Sequence, residues 1–158
     1  MGLRALFGRL AFRKEHGDVR SFDADVATAG GVRGRVDRGF KEVPLEKVVG
    51  SVGRTHNLRS DFFYRTGQAV TARFRRVGAA LEQGVPLPPL ELYKIVGKRA
   101  DGAPAESRYY VVDGHHRVAM AKQIGMDAVD AHVVEYRVDG KVPEDLPTGD
   151  PPTAGPAP

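Results

Sequence analysis

The chain has 158 residues, 41% of them hydrophobic, and a formal net charge of +4, which is one domain's worth of sequence with enough apolar material for a core. It contains no cysteine, and that removes disulfides, thiolate catalysis and zinc–thiolate sites together. No apolar run approaches the ~20 residues that span a bilayer, and the lack of a secretory signal points to the cytoplasm.

Residues 3–14 place Leu3, Leu6, Phe7 and Leu10 on one helical face, with Arg4, Arg9 and Arg13 elsewhere. This short basic amphipathic segment has two readings, contact with anionic lipid or docking on the domain. Residues 15–39 are rich in Gly, Asp and Arg and read as an irregular, flexible linker, so residues 1–39 are expected to precede the folded unit. That unit is expected to span residues 40–138. Val43 to Val49 reads as a short strand, followed by a turn through Gly50 and Gly53.

A helical segment is predicted over residues 61–83. Val70, Phe74, Val77 and Leu81 recur at spacings of four, three and four, a core-facing stripe. Gly84 and the prolines at 86, 88 and 89 end it. Leu90 to Val96 is the next strand, and Arg108 to Val112 returns antiparallel as a hairpin. Residues 129–136 alternate as a last strand. Residues 139–158, acidic and rich in Pro, read as a disordered tail. Strands alternating with helices make a small α/β or α+β domain, with helices packed on a mixed sheet.

The chemistry concentrates at Asp113-Gly114-His115-His116-Arg117. Tyr109 to Val112 is strand-like, and Asp113-Gly114 is turn chemistry. A helix follows, with Val118, Ala121 and Gly125 on one stripe. A strand that turns through Gly into a helix aims free backbone N–H groups past the strand end, and such a terminus attracts anions, phosphate above all. Two histidines and an arginine act in the same direction. One of Tyr109 and Tyr110 is expected in the core, leaving the other to stack on a base. The candidate phosphate-binding residues are therefore Gly114, His115, His116 and Arg117.

Charge is uneven along the chain. From Arg54 to Arg76 six arginines face the single acid Asp61. Arg73, Arg75 and Arg76 flank the helical stripe, either as a solvated face or as a surface for nucleic acid. His132 reads as a strand residue without metal-ligand spacing to the other histidines.

From Lys41 to Tyr136 the order of elements and the Asp-Gly-His-His-Arg turn resemble the superfamily of ParB amino-terminal domains and sulfiredoxins. Within it, the turn is similar to that of ADP-dependent free-serine kinases and small ParB-like proteins. The resemblance implies a ParB/sulfiredoxin-like fold that binds nucleotide phosphates at the turn. It also implies Asp113 as a catalytic or metal-organising carboxylate, His115 and His116 as catalytic candidates, and Asn57 and Arg59 as a lid. Magnesium would arrive with the nucleotide, and phosphotransfer or nucleotide hydrolysis is the implied chemistry. Three departures narrow this. Sulfiredoxin chemistry needs a cysteine in the turn, and there is none. Segregation ParB proteins carry Gly-Glu-Arg-Arg here and a helix-turn-helix afterwards. The kinases place a glutamate where this chain has Asn57, whose amide cannot serve as a general base, so kinase activity would need Glu46 or Asp61 to substitute. A DNA-binding or partition-related accessory module using the arginine-rich helix, and a non-catalytic scaffold that has lost its ligand, are the rival readings.

Overall fold

The computed structural model describes residues 17–55, 58–63, 72–86, 88–99 and 101–141, with only the backbone for 72–74. In chain order the elements are β1 (Arg20–Ser21), α1 (Phe22–Thr28), β2 (Val32–Pro44), a 3-10 turn (Leu45–Lys47), β3 (Val48–Ser51), α2 (Ala72–Glu82), β4 (Leu90–Lys98), β5 (Arg108–Asp113), α3 (His115–Gln123) and β6 (Ala128–Lys141). The strands form one mixed sheet in the order β1-β3-β5-β4-β6-β2. β1, β3 and β5 are parallel neighbours; β4 returns antiparallel to β5; β6 runs parallel to β4, and β2 antiparallel to β6. The α+β class expected from the sequence is the class observed.

Alternation along the strands sorts side chains to two faces. One face buries Leu90, Leu92, Tyr109, Val111, Ala131 and Val133 against Val118, Ala119 and Ala121 of α3. The opposite face gathers Ile95, Tyr110 and Val138 with Phe22 and Ala29, at the two ends of α1. Phe22 anchors that helix edge-on to three rings, with centroids 5.2 Å from Tyr93, 5.4 Å from Tyr110 and 5.2 Å from Tyr136. Edge-to-face pairs of this kind stabilise by about 1 kcal/mol each beyond area burial. Tyr109 and Tyr110 are both buried, one on each face. Neither is left to stack on a base, contrary to the sequence reading, because two adjacent strand residues in mid-sheet each meet a covered face.

The linker expected over residues 15–39 is ordered structure from Arg20 onward. Gly30 and Gly31, both at positive φ, make the turn between α1 and β2. β2 is a thirteen-residue edge strand paired along its length with β6. Its polar composition hid it, because an edge strand draws its stability from backbone pairing and keeps charges on its solvated faces. Two register shifts, at Val32/Gly34 and Asp37/Gly39, break the period-two pattern further. The folded unit thus begins well before Phe40. At the other end, β6 continues to Lys141, past the boundary expected at 138; Gly140 N donates to Ala29 O at 3.0 Å.

Other expectations shift only locally. The strand read over 43–49 is split at Pro44 by the 3-10 turn. Residues 61–63 form a turn rather than helix, and α2 runs to Glu82 with Gly84 at φ +79 as its stop. The antiparallel β4–β5 hairpin is as read. The amphipathic stretch 3–14, His56, Asn57, Arg65, Val70, the side chains of Arg73 and Phe74, and the tail beyond 141 lie outside the described residues. Among the described residues no helix is long and apolar enough to cross a membrane.

Candidate functional site

β5 ends at Asp113, and α3 begins two residues later, with Gly114 between them at φ +116 and ψ 25. Gly114 is required twice over. The left-handed backbone excludes most side chains, and a Cβ here would lie 2.4 Å from Leu90 Cδ2 and 3.3 Å from Arg117 Nη2. Glycine brings no side chain to cap the helix, and the first turn of α3 holds no acidic residue. The positive end of the helix dipole is therefore uncompensated by a carboxylate from its own first turn.

His115 turns inward. It is 6% exposed, and its Nε2 is hydrogen-bonded to Ser51 Oγ at 2.7 Å, joining α3 to the end of β3. Arg54 N also donates to that hydroxyl, at 3.3 Å. Burial first, then the Arg54 charge, push the imidazole pKa down to about 4, so His115 is neutral at pH 7. The Ser51–His115 distance is that of a nucleophile and its base. Ser51 is fully buried, so the pair lies beneath the protein surface and ties the start of α3 to β3. His115 is thus a neutral, buried imidazole whose Nε2 is paired with the Ser51 hydroxyl. His116 is half-buried beside it.

Arg117 is largely occupied within the protein. Nη1 donates to the carbonyls of Pro88 and Pro89 at 3.0 and 3.1 Å, and Nη2 donates to Asp113 Oδ2 at 3.0 Å. The guanidinium thereby fixes the proline-rich approach to β4 against the turn. Its charge stays at the helix start, while Nη1 and Nη2 are engaged in this clamp. Asp113, on the exposed end of β5, is the partner in the clamp. Among the described residues no group of three His, Asp or Glu is placed to hold a metal.

The loop after β3 forms a fixed wall. Leu58 and Phe62 are buried, the Phe62 ring centroid lies 6.3 Å from that of His115, and Lys122 Nζ sits 5.8 Å over the Phe62 ring. Phe62 takes this position with φ +72, a strained backbone for a non-glycine residue that tight packing maintains. Val19 N donates to Leu58 O at 3.1 Å, and Ser60 N donates to Gly17 O at 2.8 Å, so the segment before β1 ties the loop down. Arg59, read as part of a lid, is ion-paired with Asp61 and stands over the Phe63 ring at 5.8 Å.

On α2, Arg75 and Arg76 are exposed. That helix lies close to α3, where a Cβ on Gly78 would come within 2.9 Å of Met120 Cε. His132 stands two strands from the turn, because Glu91 pairs in register with both Asp113 and His132; it bridges Glu91 at 3.0 Å and Asp37 at 2.9 Å across three strands. Sequence reasoning missed Ser51 and the Pro88–Pro89 carbonyls. No spacing links Ser51 to His115, and backbone acceptors carry no side-chain signature.

No protein-family model matches the chain, and no curated protein matches it. Among solved structures it is similar to a Pnob8-like ParB-N domain, with 17% identity and a TM-score of 0.35, the match covering 68% of this chain and 32% of that one. The chain thus spans about a third of that structure's length. A likeness at this level says nothing of ligand or activity. What the geometry itself establishes is an α+β domain whose central parallel strand opens, through one obligatory glycine, into a helix start without a side-chain cap.

Proposed function

We propose that the chain is a ParB/sulfiredoxin-like domain that binds a nucleotide through its phosphates at the Asp113–Arg117 turn. One observation carries this reading. The start of α3 stands at the C-terminal end of β5, beside the parallel β3, with a glycine cap, no acid in its first turn and cationic Arg117 held against it. Open α/β sheets bind ligands at such strand ends, and helix starts of this composition favour anions. In this reading backbone N–H groups of the first turn and His116 meet phosphate oxygens. Gly114 allows the close approach, and neutral His115 stiffens the turn from below. Arg117 contributes its charge from the Pro88–Pro89 clamp. Magnesium enters only as the nucleotide's own counter-ion. If turnover accompanies binding, the reaction class is phosphoryl transfer or nucleotide hydrolysis.

Isothermal titration with ATP, ADP and CTP, each with magnesium, tests the proposal, with a dissociation constant below about 1 mM expected for at least one. His116→Glu, checked by circular dichroism to keep its fold, should weaken that binding by about tenfold or more, because a carboxylate repels phosphate. No binding to any nucleotide, or equal affinity in the variant, overturns the proposal. If the domain is instead a DNA module, duplex affinity will fall steeply with salt and drop in Arg75→Ala and Arg76→Ala. A scaffold responds to neither ligand.

A further inference from the structure

At the opposite end of β5 lies a second feature that the turn does not use. Arg108 opens the strand on the face shared with Tyr110 and is 6% exposed. Its Nη1 is buried with no hydrogen-bond partner. The carboxylate of that face, Asp25, is fully engaged: Arg20 donates from Nε to Oδ2 at 2.7 Å and from Nη2 to Oδ1 at 3.0 Å, and the Tyr110 hydroxyl donates to Oδ2 at 2.6 Å. Arg108 lines a cleft of about 500 Å³ between the 3-10 turn and the β4–β5 loop. Lys47, Arg99 and Ser107 line it too, with Glu46 and Glu106 as its acids. Arg99 is ion-paired to Asp101, outside that wall.

A buried donor left unpaired costs about 1–3 kcal/mol, more when charged, and buried arginine donors in folded proteins are as a rule satisfied. We infer that this cleft is a binding site for a small oxyanion, a carboxylate or phosphate carried by a small molecule, which pairs with the planar fork of Arg108. The guanidinium matches either group with two parallel N–H donors, and Ser107 supplies a hydroxyl. The volume falls within the range of small-molecule sites. Glu46 and Glu106 set a limit on the ligand's charge, for they oppose a polyphosphate while tolerating a mono- or dianion. The site is about 17 Å from the Asp113–Arg117 turn, five residues along an extended strand, and the inference stands apart from the nucleotide proposal.

The test is thermal unfolding of the full chain in sodium phosphate and in sodium acetate, each compared with sodium chloride at matched ionic strength. Backbone amide shifts of Val49 and Ser107 are followed in the same titrations. The melting temperature is expected to rise with at least one oxyanion, with saturable shifts at both amides. Arg108→Met should remove the rise and the shifts while melting no lower than wild type in chloride. Ser107→Ala and Lys47→Ala, which alter less buried positions, should weaken the titration about threefold or more and provide the test if Arg108→Met fails to fold. A response to phosphate alone or to acetate alone supports the inference and identifies the oxyanion. Absence of saturable shifts with either ion, an equal response in Arg108→Met, or shifts confined to residues 114–117 overturns it.

Discussion

β1 and β5 are parallel strands of the same sheet, both separated by β3, and each leads directly into a helix: α1 over one face and α3 over the other. Their helix starts differ in chemistry. Ser21 caps α1 from an extended backbone, its Oγ accepting from Ala24 N at 3.1 Å, and Asp23 and Asp25 occupy the first turn. Asp25 turns inward to Arg20 and Tyr110, so the acid that suits the dipole also anchors the helix. At α3 the cap is Gly114, there is no acid in the first turn, and the charge brought close is Arg117. The same strand-to-helix device is closed by its own side chains at one place and lacks such closure at the other. A helix start becomes a candidate anion site where the chain withholds its caps, and geometry alone would not distinguish the two.

Substitutions can break that contrast. The largest effect is expected for Gly114→Ala, which combines a strained φ with a contact of 2.4 Å to Leu90 and should cost about 4 kcal/mol in urea unfolding. A loss no greater than that from removing the Ser21 cap would mean that the α3 start tolerates what it is built to exclude. Next comes pH. The His115 pKa is lowered from its ordinary 6.5 to about 4, so between these values the unfolded chain takes up a proton that the folded chain refuses. Stability should therefore fall as pH drops from about 6.5 to about 4, by roughly 3 kcal/mol, and His115→Gln should flatten that limb. A wild-type profile already flat there would show that the imidazole is not held neutral.

Tyr110→Phe tests the closed partner. It removes a hydrogen bond to the buried Asp25 carboxylate and should cost about 2 kcal/mol, read by the same unfolding measurement, with nucleotide titrations unaffected. Ser21→Ala removes only the cap of a seven-residue helix and should cost about 1 kcal/mol. If it also changed nucleotide affinity, the two helix starts would not be functionally separate.

Acid sensitivity has a counterpart of opposite sign at His132. Hydrogen bonds to Glu91 and then Asp37 raise its pKa above the ordinary value. Its contribution is complete below about 6.5 and is lost as pH rises through the raised value. The sequence separated the two histidines by context, His115 in a polar turn and His132 in an alternating strand, but not the opposite directions in which their surroundings shift them. His115 is buried beside Ser51 and Phe62; His132 stays near the surface between two carboxylates on neighbouring strands.

What the sequence by itself determined are the elements whose signals are local. The β4–β5 hairpin, the strand-glycine-helix unit at 109–123, the stop at Gly84 and the last strand follow from alternation, helical spacing and glycine placement, and all are present. The candidate turn was equally legible, since five consecutive residues carry it. Tertiary structure alone decided the rest. Residues 20–44 became β1, α1 and β2 because β3 and β6 supply partners for their backbone groups and the Tyr93, Tyr110 and Tyr136 rings receive Phe22. It also decided that His115 faces Ser51 and that Arg117 holds Pro88 and Pro89. Those choices depend on which distant segment arrives at each face, and a backbone hydrogen bond or a buried ring contact leaves no periodic trace in the residues that make it.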